Sequence, residues 1–192
     1  MNKEVLRKVY LEKRLFLSEK EKTDRDQKLF SHFLSHISLQ NISYLHIFLP
    51  IEKKKEPDTW LLIDQISKDY PQIRFVIPSS EDNGDLKHYV LKDKSQLKFN
   101  KWGIPEPEHG EQISPELLDF ILVPLIIFDK KGHRIGYGKG YYDRFLELCR
   151  PDAKKIGYSL HMPLDVIPYT DEHDIPLDGC IYPEGYWEFS VV

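Results

Sequence analysis

Hydrophobic residues recur at helical spacing near the start of the chain. Segment 3–17 places them three and four positions apart among lysines, arginines and glutamates, which predicts an amphipathic helix. Ser18 is followed three residues later by Glu21, a capping-box pattern that predicts the start of a second helix running to about residue 37. Two helices are therefore expected before the first strand.

Short apolar runs then alternate with further helical patterns. The longest run, FILVPLIIF, is apolar at nearly every position, as expected for a strand buried on both faces of a parallel sheet. Asn83-Gly84 predicts a turn followed by a strand, and the proline-containing segment 99–119 is interpreted as an ordered surface loop. Strands are predicted at 42–50, 73–78, 118–129, 154–160 and 178–183, with helices at 57–70 and 141–149.

This alternation predicts the fold class. We expect an α/β protein with an open, mostly parallel twisted sheet and helices on both faces, a Rossmann-like three-layer arrangement in which 118–129 is the central strand. The length of 192 residues fits one domain spanning 1–192.

Composition and charge narrow the function classes. A net charge of −4 argues against a dedicated nucleic-acid-binding protein, whose affinity depends on a cationic surface. The two cysteines have no CxxC spacing, so neither a disulfide framework nor a cysteine-rich zinc site is expected. No signal peptide or membrane-length apolar segment is visible. We therefore expect a cytoplasmic monomer that has neither nucleic acid nor a membrane as partner.

A glycine-rich segment, KKGHRIGYGKGYYDRFLE at 130–147, follows the predicted central strand and leads into a helix. Gly136, Gly138 and Gly140 alternate, so the backbone can approach a ligand without Cβ atoms in the way. Backbone N–H groups in such a turn, with Arg134 and Lys139 beside them, suit phosphate oxygens. The segment is a candidate phosphate-binding loop.

The spacing matches neither of the common phosphate-loop motifs. A Walker A loop has Ser or Thr after its lysine, whereas Gly140 follows Lys139, and a dinucleotide loop has GxGxxG instead of GxGxG. A metal would need another ligand, and Asp143 in the first helical turn is the obvious carboxylate for Mg²⁺. From glycine spacing alone, a flexible surface turn whose aspartate complements the helix dipole is an equally good interpretation.

The stretch GHRIGYGKGYYDRFL resembles the signature of the 5-formyltetrahydrofolate cyclo-ligase family. The segments KEVLR, IFLPIEKKKEPDT, WGIPEP and DEHDIPLDGCI resemble family segments in the same order, so the resemblance covers nearly the whole chain. At the position of Tyr137 the family often has arginine. The resemblance implies an ATP- and Mg²⁺-dependent enzyme that converts 5-formyltetrahydrofolate, expected in its polyglutamylated form, to 5,10-methenyltetrahydrofolate with release of ADP and phosphate.

The resemblance also assigns roles to individual residues. Arg134 and Lys139 would act on the transferred phosphoryl group, and Asp143 and Asp174 would bind the metal. Lys3 and Arg7 share a helix face, which alone is usually just a solvated surface. By resemblance, the ATP phosphates would be bound by Lys3, Arg7, Arg134, Ile135, Gly136, Tyr137, Gly138, Lys139, Gly140, Tyr141 and Tyr142.

Folate recognition falls on a second set of residues. By resemblance Glu56 would bind the amino-pyrimidine edge of the pterin, and Ile51 would pack against its ring. Trp102 is most simply a loop anchor, but it could form a pocket wall. Tyr141 is the tyrosine expected to stack on the folate. Without the resemblance, Glu56 is interpreted as an exposed carboxylate at a helix start, and Tyr141 and Tyr142 as ordinary core aromatics.

Two other functions remain open at this point. One is a non-catalytic relative that binds nucleotide or folate as a regulatory or sequestering module. The other is an enzyme acting on a phosphosugar or a coenzyme A derivative, which would need neither Lys3 and Arg7 nor a second acid at Asp174. The acidic cluster of Asp171, Glu172 and Asp174 is also typical of a solvated loop.

Overall fold

Two helices precede the sheet. The computed structural model describes residues 2–100, 103–168 and 174–189; in it, α1 spans Lys3–Leu15 and α2 spans Glu19–His36. The predicted capping box is confirmed: the Ser18 hydroxyl accepts from the Glu21 amide at 3.2 Å, and the Glu21 carboxylate accepts from the Ser18 amide at 2.8 Å. Because this signal lies within four consecutive residues, it fixes the helix start locally.

Seven strands form the main sheet, in the order β11-β10-β9-β6-β1-β2-β3. The neighbours from β10 to β2 are parallel, and β3 and β11 pair antiparallel at the two edges. Strand β6 is the fourth of the seven, as expected for the most apolar segment. The strands are β1 Tyr44–His46, β2 Arg74–Ser80, β3 Leu86–Val90, β4 Leu97–Phe99, β5 Pro105–Pro107, β6 Phe120–Pro124, β7 Ile127–Phe128, β8 Arg134–Ile135, β9 Lys154–Tyr158, β10 Gly179–Tyr182 and β11 Gly185–Glu188.

Helices cover both faces of this sheet. Two helices follow strands, α3 at Trp60–Asp69 and α4 at Tyr141–Glu147. One hydrophobic cluster joins α2 and α3 to the sheet, whereas a second cluster packs Phe145 and Leu146 of α4 against the opposite face. The predicted α/β fold with an open, mostly parallel sheet is confirmed.

Three predicted segments differ in detail. The run 118–129 does not form one strand: β6 ends at Pro124, and β7 pairs with β8 in a separate small hairpin. The interpretation of 99–119 as a loop was wrong in part, because β4 and β5 form a two-stranded hairpin. The strand predicted at 178–183 is not the last, since β11 follows it.

The strand order reverses beside β6. Strand β1 leads to β2 on one side, whereas β6 leads to β9 on the other, so β1 and β6 flank a topological switch point. Ligands of open α/β sheets bind in the crevice at the carboxyl ends of such strands. The segments that follow β1 and β6 carry Ile51, Glu56 and the glycine-rich loop, so these predicted site residues lie at that end of the sheet.

Two histidines are buried beneath α4. His46 is fully buried in β1 and His88 is 2% exposed in β3; their ring centroids lie 5.1 Å apart, and both rings contact Phe145. Burial lowers the pKa of His88 to about 4 and lowers the pKa of His46 well below its ordinary value. Both rings are therefore neutral in the folded protein at neutral pH.

We expect the free energy of unfolding to fall as the pH drops from about 6.5 to about 4. Between these pH values the unfolded chain binds protons that the buried rings of the folded protein do not bind. The stabilising contribution of the neutral histidines is therefore fully present above their pKa in the unfolded chain. It is lost as the pH falls towards their lowered pKa in the folded protein. His88 alone would account for roughly 3 kcal/mol. Urea denaturation across this range measures the loss, and His88→Phe should flatten the curve; an unchanged pH dependence would contradict the assignment.

Candidate active site

The glycine-rich loop joins β8 to α4 and has a backbone that needs glycine. Gly138 and Gly140 have φ values of +85° and +69°, in the left-handed region that side chains disfavour. A Cβ at Gly138 would also lie 2.8 Å from Cζ of Arg7, whereas one at Gly136 would meet nothing within 4 Å. Gly138 therefore serves both the turn and the close approach of a guanidinium.

Helix α1 brings two of the predicted phosphate-binding cations to this loop. Arg7 Nε donates to the carbonyl oxygen of Gly136 at 2.9 Å, and Lys3 Nζ forms an ion pair with Asp174. Residues four apart lie on one helix face, so a single rigid element positions both side chains. The structure brings Lys3 and Arg7 to the loop, although they are far from it in sequence.

Arg134 lies between the two predicted metal carboxylates. One of its terminal nitrogens donates to Asp143 Oδ1 at 2.5 Å, and the other donates to the carbonyl oxygen of Ile175. Burial lowers the pKa of Arg134, while the negative charges of Asp143 and Asp174 act in the opposite direction. Side chains of opposite charge thus alternate across the crevice: Lys3, Asp174, Arg134 and Asp143.

These carboxylates fit Mg²⁺ that arrives with a nucleotide. Among the residues that the structure describes, no group of three or more His, Cys, Asp or Glu side chains could hold a metal ion alone. Mg²⁺ often takes only one or two carboxylates and completes its shell with phosphate oxygens and water. The side chains of Asp143 and Asp174 are 32% and 23% exposed, so both are accessible to such a complex.

Glu56 is a buried carboxylate at the carboxyl end of β1. It is 5% exposed, and both of its oxygens accept hydrogen bonds: Oε2 from the backbone amide of Ile51 at 2.8 Å, and Oε1 from the Tyr137 hydroxyl at 2.5 Å. Ile51 is itself 8% exposed. The interpretation of Glu56 as an exposed helix-start carboxylate is therefore wrong.

Tyr137 is surrounded by charged groups. The guanidinium of Arg14 donates to its hydroxyl, and Lys54 Nζ lies 3.9 Å from its ring centroid. Burial, and then the negative charge of Glu56, raise the pKa of Tyr137 well above its ordinary value. The hydroxyl remains protonated and can donate to Glu56.

Arg14 and Lys54 are site residues that sequence reasoning missed. Arg14 lies seven residues after Arg7, about two helical turns, and therefore on the same side of α1. That spacing is a signal that could have found it. Lys54 lies within a run of lysines, which does not distinguish it from its neighbours.

The two tyrosines of the signature have different surroundings. The Tyr142 hydroxyl is buried with no partner among the described residues, and its ring centroid lies 6.1 Å from that of His46. Tyr141 is half-buried, with the Arg144 guanidinium 5.6 Å from its ring. Tyr141 is thus the more accessible of the pair.

Of the other predicted residues, the structure describes some, and the rest lie outside the described ranges. Lys139 is exposed in the loop, where its carbonyl accepts from Arg144 at 3.2 Å, and Ile135 is buried in β8. The predictions on Trp102, Asp171 and Glu172 lie outside the described residues.

A cleft of about 570 Å³ opens beside the segment that carries Ile51. Lys94 lies over the ring of Trp60, with Nζ 4.3 Å from the centroid, and Lys98 is paired with Glu108 at 2.5 Å. The lining combines lysines with apolar side chains: Pro50, Glu52, Lys53, Trp60, Lys94, Leu97, Lys98, Phe99, Gly103 and Pro105. It suits an elongated ligand with apolar and anionic parts.

Fold and site together define a class of protein. An open α/β sheet with a cationic glycine loop and carboxylates at its switch point is the arrangement of α/β proteins that bind phosphorylated ligands. No helix in the described part of the chain is both long enough and apolar enough to cross a bilayer.

Comparisons with known proteins identify the family. The model of the 5-formyltetrahydrofolate cyclo-ligase family matches residues 1–183. A 5-formyltetrahydrofolate cyclo-ligase of Mycoplasma genitalium is 31% identical over 82% of this chain and 84% of its own, and one of Mus musculus is 28% identical over 88% and 87%. The chain belongs to the 5-formyltetrahydrofolate cyclo-ligase family.

Solved structures agree with this assignment. The structure of 5,10-methenyltetrahydrofolate synthetase from Aquifex aeolicus superposes with a TM-score of 0.78 at 31% identity, covering 100% of this chain and 95% of that one. The corresponding structure from Mycoplasma pneumoniae gives a TM-score of 0.74 at 27% identity, covering 96% and 100%. The predicted folate ligase is confirmed, and the non-catalytic alternative is not favoured.

Proposed function

We propose that this chain converts 5-formyltetrahydrofolate to 5,10-methenyltetrahydrofolate in a reaction driven by ATP and Mg²⁺. The observation that carries the proposal is the pairing of the cationic glycine loop with Asp143 and Asp174 at the switch point, beside the buried carboxylate Glu56. An enzyme that transfers a phosphoryl group from ATP to a pterin substrate needs such a phosphate site next to such a carboxylate. The enzyme would be a single-domain cytoplasmic monomer. Its two cysteines are buried and unpaired, as expected in a reducing compartment.

The chemistry explains why both sites are needed. The formamide oxygen is a poor leaving group, so it attacks the γ-phosphorus of ATP and ADP departs. N10 then attacks the activated carbon and loses its proton, and phosphate leaves as the ring closes. In this step the protein must hold the reacting groups in line and neutralise developing charge.

Cations of the chain would supply that neutralisation. Arg134 and Lys139 belong to the loop, Arg7 reaches it through the Gly136 carbonyl, and Lys3 extends the cationic surface from α1. Mg²⁺, held by Asp143 and Asp174, would contribute further positive charge at the phosphate oxygens. Because Arg134 is largely buried and held by Asp143, its guanidinium is oriented before the nucleotide binds.

Folate would occupy the crevice from Glu56 outwards. The Glu56 carboxylate matches the two N–H groups of an amino-pyrimidine edge, with Ile51 against the ring and Tyr141 at the open side. The lysine-lined cleft beyond Ile51 would then receive the glutamate tail. Lys53, Lys94 and Lys98 supply the positive charge that a polyglutamate needs.

Lys94→Glu should weaken the binding of polyglutamylated substrate more than the binding of the monoglutamate. We expect KM for a polyglutamate substrate to rise about tenfold, because an attractive charge becomes a repulsive one, while KM for the monoglutamate changes less than about threefold. Steady-state kinetics with both substrates measures the ratio. Lys28→Glu, an equal change of charge on the exposed face of α2, is the control. Equal effects on both substrates would place the tail elsewhere.

A spectroscopic assay tests the activity itself. The methenyl product absorbs in the near ultraviolet, so its appearance from 5-formyltetrahydrofolate can be followed while ATP or Mg²⁺ is omitted in turn. We expect product only when all three are present. Tight folate binding without any turnover would instead support the sequestering module.

A further inference from the structure

Four residues from three separate segments form a continuous chain of hydrogen bonds around the Glu56 carboxylate. Arg14 of α1 donates to the Tyr137 hydroxyl, which donates to Glu56 Oε1 at 2.5 Å, while the Ile51 amide holds Oε2 at 2.8 Å. Arg14 is 1% exposed, and its other terminal nitrogen reaches the Leu125 carbonyl oxygen at 3.3 Å. Tyr137 is therefore a bridge between a buried cation and a buried anion.

The charges explain why the bridge is stable. A guanidinium and a carboxylate that are both out of water are costly unless each is compensated. Tyr137 joins them through a hydroxyl that accepts from one and donates to the other, and hydrogen bonds in such a chain polarise and strengthen one another. Lys54, whose Nζ lies 3.9 Å from the ring centroid, adds a second positive charge beside Tyr137. These contacts hold Glu56 in one orientation. They also compensate its charge, which is nearly inaccessible to solvent.

The loop contributes a neutral tyrosine to this bridge, and the guanidinium at its other end comes from α1 through Arg14. Arg14 is 1% exposed, and the bridge gives it a reason to be buried that helix amphipathicity alone does not give.

We propose that Arg14 and Tyr137 are positioning residues that fix the Glu56 carboxylate in the orientation that binds the pterin. The inference rests on the proposed function and adds to it the device that presents Glu56 to the substrate. Since Tyr137 lies between Gly136 and Gly138, the same residue links pterin recognition to the nucleotide loop. Neither Arg14 nor Tyr137 needs to touch the reacting atoms.

Tyr137→Phe removes the bridging hydroxyl while keeping the ring under Lys54. We expect the dissociation constant for 5-formyltetrahydrofolate, measured by calorimetry without ATP, to rise about tenfold or more, because a hydrogen bond to a charged group is lost. KM for folate should rise in parallel, while KM for ATP stays within about twofold. If Tyr137 only stabilised the fold, Tyr137→Phe would instead lower the melting temperature and leave folate affinity unchanged.

Two further variants test the link to Arg14. Arg14→Leu combined with Tyr137→Phe should be no worse for folate binding than Tyr137→Phe alone, because both changes interrupt one chain. Arg14→Leu combined with Tyr137→Arg should recover most of the affinity, since it places a guanidinium on the loop, where it can donate to Glu56 directly. Additive losses in the first pair, or no recovery in the second, would overturn the inference.

A matched control exists at the opposite end of the sheet. Tyr44, at the start of β1, accepts from Arg74 at 3.0 Å, and Arg74 also pairs with Glu111, so an Arg–Tyr contact occurs there without a predicted ligand. Tyr44→Phe should leave folate binding unchanged. If the unaltered protein makes no methenyl product, the proposed function fails; if it does and Tyr137→Phe binds folate normally, only the positioning role fails.

Discussion

Asp143→Asn is expected to lower kcat at ordinary Mg²⁺ concentrations by about a hundredfold or more. The amide can still accept the hydrogen bond from Arg134, which is 2.5 Å from Asp143 Oδ1, but it lacks the negative charge that the proposed Mg²⁺ site requires. Because the shape of the side chain is kept, the loss would report on charge and not on packing. Turnover measured across a range of Mg²⁺ concentrations should show a much higher requirement for the metal.

Asp165→Asn provides the control for this substitution. Asp165 is also paired, with Lys130 at 2.6 Å, but its side chain is 89% exposed and it has no place in the proposed site. Its activity and Mg²⁺ dependence should match those of the unaltered protein. Full activity of Asp143→Asn at ordinary Mg²⁺ would show that another group holds the metal.

Gly138→Ala is expected to reduce kcat/KM for ATP by about a hundredfold. The φ of +85° is strained for alanine, and the new Cβ would lie 2.8 Å from Cζ of Arg7, so either the loop or the guanidinium must shift. A shift of Arg7 would break its hydrogen bond to the Gly136 carbonyl and misplace a cation that is proposed to bind phosphate. Steady-state kinetics with varied ATP measures the loss.

The neighbouring glycine separates strain from general loop sensitivity. A Cβ at Gly136 meets nothing within 4 Å, so Gly136→Ala should leave the melting temperature of the ligand-free protein nearly unchanged. Gly138→Ala should lower it, since the strain exists without any ligand. Equal melting temperatures together with full activity would contradict the geometry given for Gly138.

Local signals predicted much of the fold. The capping box of Ser18 and Glu21 predicted the start of α2, and the continuous apolar run predicted that β6 is central. The predictions that failed concern elements that depend on pairing with distant residues. Prolines argued against strands in the segment that forms the β4–β5 hairpin, and no apolar run indicated the strand β11 after residue 183. Edge strands and small hairpins are stabilised by their partners, which a single window of sequence does not contain.

The site divides in the same way. Three alternating glycines, two cations and a following aspartate lie within ten residues, so the loop was recognisable from sequence, first as a phosphate site and then by resemblance. The neighbours of Glu56 could not be recognised from the sequence, because the hydrogen bond from Tyr137 joins residues 81 positions apart. The spacing of seven residues from Arg7 was the sequence signal for Arg14, but in an amphipathic helix that spacing does not tell a buried arginine from an exposed one.

The alternating charges of Lys3, Asp174, Arg134 and Asp143 have a practical consequence for inhibitor discovery. Each cation already has an anionic counterpart within the protein, so a bare phosphonate or sulfonate must compete with an internal counterion for every contact. If Mg²⁺ binds these acids as proposed, a compound supplied together with a divalent ion would meet no such competition, because the ion would neutralise the acids while the compound pairs with the bases. Screens run in chelating buffers would therefore overlook ligands of this crevice.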